Sequence, residues 1–510
     1  MEKDSKNEKK LVSILKMYPV AILALIDAIM VLIPTYLENY IPNIYGNINM
    51  TPGQYSEGLA FYGIFSIVAN FVGAYLGGKY KGRKLILISL LMQIGIAVWY
   101  GSLIFQYTVP PDDPNYGKNI LPQWIGILFL YSIAISGLIW GPLWRIIKNY
   151  GTENLSGKEK EKRVGFNNGV AGTYEGIFGL IIGSIGALLY ALTNSGKIPN
   201  LILFGNNVSV GFLVLIAMTL FLTIGSTILT WLFIKPIEDQ GQNGFSLKNL
   251  AQVIKGWKIW CMGMIIIGVF MLQMELSAYM NYLSNIFLIT PALVIAFGLI
   301  RTYVMRFLLA GYVGRKSDKA HSYIFILIVG LFIGIILICI AIILPGFGGD
   351  KTVDSLDPTK RIILQICAVA NLVVLGSLTW VLVTIRWTPI GTELGITNDN
   401  YATAIAFLSA MGFSPGLYYK FIKAYIEDHH KTLKIPSNNQ SGYILVVDKT
   451  GNQLILLTCA CIAFAGFIAG LILYIGLYRN SDNFKFRIGK RKSKTIGSDN
   501  LDEKLSESSN

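Results

Sequence analysis

The sequence predicts an all-α polytopic membrane protein, with twelve transmembrane helices arranged as two pseudo-symmetric halves of six. Of its 510 residues, 53% are hydrophobic and only 14% are charged, whereas a soluble domain has about a quarter charged residues. The apolar residues fall into runs of about 20 or more, the length that a helix needs to cross a bilayer. A short basic turn between two such runs, at 77–84, returns in altered form at 311–322, which indicates a duplicated chain.

The first half contains six predicted spans after a polar, lysine-rich segment. No small-residue cleavage site follows a short apolar core, so we expect the first span to be retained. Segment 37–55 contains Glu38 but no Lys or Arg, whereas 148–163 contains five. The positive-inside rule places the first segment outside and the second in the cytoplasm. The spans are 17–36, 56–77, 85–105, 123–146, 166–193 and 208–234.

The second half follows a polar linker and contains six more spans, at 257–283, 290–310, 323–344, 362–385, 401–426 and 454–478. The C-terminal tail is rich in Lys and Arg, so both termini are expected in the cytoplasm of a cell-membrane protein. The predicted domains are a cytoplasmic tail (1–16), a first half (17–234), a cytoplasmic linker (235–256), a second half (257–478) and a basic, disordered cytoplasmic tail (479–510).

Composition excludes several classes of function. The net charge of +14 lies mainly in particular loops and in the tails, as the positive-inside rule requires, so no nucleic-acid partner is expected. The five cysteines lie in apolar runs without metal-ligand spacing. No Walker loop and no arrangement of nucleophile and base can be found, so neither an enzyme, a cofactor nor a metal is expected. The acidic and histidine run at 427–430 is interpreted as a solvated outer loop.

The first basic turn resembles the signature of the major facilitator superfamily. That signature, between the second and third helices, reads in outline G-x-x-x-D-R-x-G-R-[RK]. Gly82, Arg83 and Lys84 match its second part, although Lys79 stands where the superfamily has Asp.

The second basic turn keeps the complementary part of the signature, G-x-x-S-D-K, at Gly314, Asp318 and Lys319. The resemblance implies two six-helix halves that rock around a central site. It also implies that the turns act as gates, because their cations engage an acidic residue or helix C-termini in one state and release them in the other. The alternative is that these cations only follow the positive-inside rule.

A further resemblance covers most of the chain and rests on residues 139–148, 163–169 and 403–415. These runs are similar to a bacterial branch near the sugar-phosphate antiporters, and that branch does not specify a substrate. Superfamily phosphate-ester exchangers have cavity arginines on the first and seventh helices, where this chain has Asp27 and Glu275.

Charged residues within spans need a partner or a function, because each costs about 2.5 to 3.5 kcal/mol near the bilayer midplane. Asp27 lies among apolar residues near the middle of the first span and is the candidate for proton coupling; the alternative is a structural ion pair. Arg301, near the middle of the eighth span, either binds an anionic group of the substrate or pairs with a carboxylate. Arg306, nearer the cytoplasmic end, is expected to snorkel.

The seventh span has the richest polar face. Gln273, Ser277 and Asn281 recur at four-residue spacing, with Glu275 and Tyr279 beside them. Such a stripe would face a wet cavity rather than lipid. Gln273, Glu275, Tyr279 and Asn281 are therefore candidate substrate contacts.

The fifth span contains glycines at steps of three and four residues, which predicts a groove for close helix packing. Glu175 lies at the edge of this groove and is a candidate substrate contact or a partner for a cation. Arg145, at the end of the fourth span, is expected to be an interfacial anchor.

These observations favour a secondary transporter that moves a small polar organic solute across the cell membrane by alternating access, with proton coupling. One alternative is an exchanger of organic anions, such as phosphorylated or carboxylated metabolites. Another is a non-transporting transceptor or scaffold on a carrier fold. The expected partners are a small-molecule substrate, a proton or counter-solute and the lipid bilayer, and the expected functional unit is a monomer.

Overall fold

The computed structural model describes residues 17–479, except 40, 107–108, 153–154, 156, 195–196, 204–205, 236–246, 310–321, 347–352, 354–355, 397 and 435–443. Within the described residues, ten helices are long and apolar enough to cross a bilayer. The chain is therefore a multi-pass helical membrane protein. Two further predicted spans are occupied by shorter helices, so the number of twelve transmembrane helices stays a prediction.

Among the described residues, the first half contains six main helices, and the first of them is shorter than the rest. The first ends before Pro34, short of the predicted 17–36, because proline cannot donate the next helical hydrogen bond. The second begins with a capping box, in which Thr51 Oγ1 accepts from the Gln54 amide at 3.1 Å and Gln54 Oε1 accepts from the Thr51 amide at 3.0 Å. The helices are α1 (Tyr18–Leu32), α2 (Pro52–Lys79), α3 (Gly82–Ser102), α4 (Leu121–Asn149, π-helical over Ile133–Ile139), α5 (Gly157–Asn194) and α6 (Val210–Phe233).

The second half repeats this arrangement after a short helix, Leu247–Ile254. Two of its helices are interrupted: α7 at Glu275, and α11 at Ser414 before Pro415. The helices are α7 (Trp257–Met274 and Leu276–Asn285), α8 (Pro291–Leu309, π-helical over Ile300–Val304), α9 (Tyr323–Ile343), α10 (Pro358–Ile385), α11 (Asn398–Phe413 and Pro415–His429) and α12 (Lys449–Tyr478).

Two small antiparallel hairpins lie between helices. β1 (Leu201–Leu203) pairs with β2 (Asn206–Val208) before α6, with Leu201 opposite Val208. β3 (Lys431–Lys434) pairs with β4 (Ile444–Val447) before α12, with Lys431 opposite Val447.

Each half has its own apolar core, and α8 also adds Ile295, Leu299 and Tyr303 to the core of the first half. Large apolar side chains also point outward, for example Phe221 of α6 and Ile366 of α10, which are 75% and 63% exposed. Outward-facing apolar residues on long helices are what a bilayer requires.

The halves approach most closely between α2 and α11, and between α5 and α8. A Cβ built on Gly63 of α2 would lie 2.5 Å from the Cα of Gly416 in α11. On α5, Gly179 and Gly183 pack against Tyr303 of α8, so this part of the predicted glycine groove packs a helix of the other half.

Candidate functional site

The segment between α1 and α2 (residues 33–51) closes one face of the molecule, here called the α1–α2 face. The backbone amide of Asn43 donates to Oδ1 of Asn281 at 2.9 Å. The side chains of Asn43 and Asn285 exchange hydrogen bonds at 3.1 and 3.2 Å. Tyr45 supports this contact, since its hydroxyl donates to Oδ1 of Asn43 at 2.9 Å. Burial raises the pKa of Tyr45 well above its usual value, which keeps the hydroxyl a neutral donor.

A second group of contacts joins α5 to α8 through charge. Both carboxylate oxygens of Glu175 accept from the guanidinium of Arg306, at 2.5 and 2.6 Å. The carboxyl of Asp27 on α1 lies directly against that of Glu175. The predicted proton-coupling residue therefore meets a predicted cavity acid, and both lie beside a cation of the other half. The snorkelling expected of Arg306 does not describe this contact, because its guanidinium forms a bidentate pair.

Arg301 lies in the π-helical segment of α8 and is 3% exposed. Its guanidinium donates to the backbone carbonyl of Asn39, in the segment between α1 and α2. Its Nε has no hydrogen-bond partner, and no carboxylate forms a salt bridge with it, among the residues that the structure describes. The indole of Trp380 connects the two arginines, because it donates to the Arg301 carbonyl at 2.8 Å and stacks against Arg306, with 4.9 Å from guanidinium carbon to ring centre.

A third polar group surrounds the interruption of α7. The carboxylate of Glu275 accepts from Nζ of Lys420 at 3.1 Å and from Nζ of Lys423 at 3.3 Å. Glu427 lies 3.9 Å from Lys423, and Glu38 lies 4.0 Å from Lys420. Glu275, predicted as a substrate contact, is thus held by two lysines of α11, and a role in substrate binding remains a prediction.

The sequence interpretation missed this group because it treated 427–430 as a solvated outer loop. In the structure α11 extends to His429, and Glu427 is 4% exposed. A signal was present: Lys420, Lys423 and Glu427 are spaced three and four residues apart, so they share one helix face. Charges on one face of a membrane helix indicate a buried polar partner.

The other candidates on α7 occupy different surroundings. Tyr279 is 1% exposed, and its hydroxyl donates to the carbonyl of Ala368 at 3.0 Å and to Oδ1 of Asn371 at 3.2 Å. Gln273 is half-buried, and Asn281 belongs to the contact that closes the α1–α2 face. Substrate binding by any of them stays a prediction.

The first basic turn makes its contacts within the first half. Gly82 begins α3 and packs against Ile146 of α4. The Arg83 guanidinium donates to the Trp231 carbonyl near the end of α6, a favourable place for a cation at a helix C-terminus. Lys84 is exposed.

Arg145 reaches from α4 to the same turn and donates to the Gly77 carbonyl at 2.7 Å. It therefore joins two helices of one half. The second-half gating candidates, Gly314, Asp318 and Lys319, lie outside the described residues.

In the part of the chain that the structure describes, no three His, Cys, Asp or Glu side chains are grouped to hold an ion. The five cysteines, all of them described, are free thiols.

Comparison with known proteins gives relatives over most of the chain. No protein-family model matches it. It is 26% identical to the protein called "Uncharacterized protein MG294 homolog" of Mycoplasma pneumoniae, over 89% of this chain and 90% of the relative. It is 20% identical to "Inner membrane protein YihN" of Escherichia coli K12, over 83% and 87%.

Among solved structures, the chain is similar to a crystal structure of the nucleoside transporter NupG. The TM-score is 0.58 at 11% sequence identity, and the match covers 89% of this chain and 98% of that one. The chain therefore has the fold of the nucleoside transporter NupG, and the major facilitator fold predicted from its two basic turns is confirmed.

Proposed function

We propose that this protein is a secondary transporter that moves a small polar organic solute across the cell membrane by alternating access, as a monomer with both termini in the cytoplasm. The observation that carries the proposal is the pair between Arg306 and Glu175, which joins the two halves through atoms 2.5 and 2.6 Å apart. An ion pair between the halves is strong while water is excluded from it. When the halves separate, water solvates the two charges and replaces the contact. The fold of a transporter supports this reading.

Proton coupling at Asp27 follows from its contact with Glu175. Two carboxyl groups in direct contact resist being ionised together, so the pair is expected to hold one proton. Arg306 neutralises the remaining charge while the halves are joined. When Arg306 withdraws, the carboxyl pair gains water and exchanges its proton, which couples the proton to the movement of the halves.

The substrate is expected to bind between the halves, near the layer that contains Asp27, Glu175 and Arg301. Nucleosides are the first solutes to test, because the structurally similar NupG is a nucleoside transporter. Gln273, Tyr279, Asn281 and Glu275 remain candidate contacts in a conformation that frees them from their present partners.

Exchange of organic anions is the second candidate, and the arginines of the second half favour it. Arg301 and Arg386 each have an unpartnered buried Nε, and neither pairs with a carboxylate among the described residues. Arg386 is held instead by the Val383 carbonyl at 2.6 Å and by the rings of Phe270 and Trp387. A guanidinium without a carboxylate is suited to bind an anionic group of a solute.

The test is counterflow into proteoliposomes, with labelled uridine as the nucleoside and glucose 6-phosphate as the anion. For a proton-coupled transporter, a proton gradient drives accumulation of the solute in the wild type. In Asp27→Asn, exchange should persist while accumulation is lost. Asp112→Asn, in an exposed loop position, is the matched control and should behave as the wild type.

Other outcomes of these experiments would favour the anion exchanger or the non-transporting protein. Exchange of glucose 6-phosphate that neither a proton ionophore nor Asp27→Asn affects would refute proton coupling and support the anion exchanger. Thermal stabilisation by a solute in a broad metabolite screen, without flux of that solute, would favour a non-transporting transceptor.

A further inference from the structure

Five charged side chains meet where α7 and α11 face the first half, beneath the α1–α2 face. Glu275 comes from α7, Lys420, Lys423 and Glu427 come from α11, and Glu38 comes from the segment between α1 and α2. The group therefore contains three carboxyls and two ammonium groups. If all are ionised, it has a net charge of −1.

The charges are shared unequally. Glu275 receives both lysines at 3.1 and 3.3 Å, whereas the distances from the lysines to Glu38 and Glu427 are 4.0 and 3.9 Å. Two carboxyls thus compete for cations that are already occupied. A buried excess of negative charge is costly, and binding one proton removes it.

Burial indicates which carboxyl takes the proton. The side chain of Glu38 is 18% exposed, while that of Glu427 is 5% exposed. Oε2 of Glu427 has no hydrogen-bond partner among the described residues. Glu427 also lines a narrow cavity together with Glu38, Ser56, Asn281 and Lys423. The unpartnered oxygen is therefore a buried polar atom on a residue that lines a cavity between the two halves.

We propose that Glu427 is a second proton-binding site, which holds a proton while the α1–α2 face is closed and releases it when that face opens. Opening would separate α11 from Glu38 and from Ser56 of α2, and water would then solvate the carboxylate. Protonation therefore stabilises the closed face, and a rise in pH favours its opening. This inference rests on the proposed alternating access and adds a proton site on the opposite half from Asp27.

The surroundings of Glu427 contain groups of both signs, and the balance determines when the proton leaves. The lysines of α11 favour the ionised form, and so does the hydroxyl of Ser56 beside the carboxyl, while Glu275 and Glu38 favour the protonated form. The facing titratable and polar groups are Tyr419, Lys420 and Lys423 of α11, Glu275 of α7, Ser56 and Tyr55 of α2, and Glu38 and Tyr45 of the segment between α1 and α2.

The test uses the full-length protein in liposomes and needs no substrate. Infrared difference spectra detect the carbonyl band of a protonated carboxyl, and spin labels at Lys118 and Leu356 report the width of the α1–α2 face. Both label sites are exposed. In the wild type, raising the pH should remove part of the carbonyl band and lengthen the distance between the two labels over the same pH range.

Glu427→Gln should lose that part of the band, and its label distance should stay short as the pH rises, because the amide is always neutral. Asp112→Asn is the control: it neutralises an exposed loop carboxylate, and it should behave as the wild type. An unchanged carbonyl band in Glu427→Gln, or widening with pH as in the wild type, would overturn the proposal.

Ser56→Ala provides an independent variant if Glu427→Gln folds poorly. Removing the hydroxyl beside Glu427 should raise the pH at which half of this carbonyl band is lost by about 0.5 pH unit, the equivalent of one weak hydrogen bond. An unchanged midpoint would also contradict the proposal. Because neither readout measures flux, a failure here is distinguishable from a failure of the proposed transport.

Discussion

Replacing Arg306 by Met tests how strongly charge joins the two halves. The substitution removes both hydrogen bonds to Glu175, whose side chain is 6% exposed, and leaves that carboxylate beside Asp27. Removing one partner of a buried ion pair costs about 3 to 5 kcal/mol. Since Arg306 is 23% exposed, the lower figure applies. A loss of about 3 kcal/mol corresponds to a change of about 100-fold in the equilibrium between joined and separated halves.

The assay is the distance distribution between spin labels at Lys118 and Leu356, introduced through unnatural amino acids so that the native cysteines stay unlabelled. Arg306→Met should raise the ratio of long to short distances by about 100-fold. Glu175→Gln should raise it less, because Asp27 can ionise and take over the contact with Arg306.

Lys360→Met is the control for this measurement, since Lys360 is an exposed cation at the start of α10. It should leave the distribution unchanged. The reasoning is refuted if Arg306→Met has the wild-type distribution, or if the effects of Arg306→Met and Glu175→Gln add in the double variant, which would mean that the two residues are not coupled.

Two further substitutions test the packing and the charges between helices. Gly63→Ala should lengthen the distance between the labels on the α1–α2 face, because the new Cβ would lie 2.5 Å from the backbone of Gly416. The control is Gly95→Ala, where nothing lies within 4 Å of the new atom. Equal distance distributions in the two variants would contradict the packing argument. Glu275→Gln should lower the stability measured by thermal unfolding in detergent by about 3 to 5 kcal/mol, since two buried lysines lose their shared carboxylate. The control Asp428→Asn should cost little. Equal melting curves for the two variants would show that the lysines are solvated.

The helices could be predicted from the sequence because their signal is local. A run of apolar residues long enough for the bilayer needs no knowledge of its neighbours. Two of the differences between predicted bounds and the structure also have a local cause: α1 ends before Pro34, and α11 is interrupted before Pro415.

Partners between helices could not be predicted, because they depend on contacts between distant parts of the chain. The sequence identified Asp27 and Glu175 as charges that need partners, but Arg306 is 131 residues from Glu175. The spacing of Lys420 and Lys423 shows that they share a helix face, and it does not show that Glu275 faces them. A single sequence gives the cost of a buried charge, while the fold decides what compensates it.

The most direct test of alternating access is a pair of distances measured in the same liposome preparations at low and high pH. Labels at Lys118 and Leu356 report the α1–α2 face, and labels at Lys81 and Lys255, both exposed, report the opposite face. Alternating access predicts that the first distance lengthens while the second shortens as the pH rises. Distances that lengthen together, or that both stay constant in the wild type and in Arg306→Met, would contradict a molecule whose halves rock about its central charges.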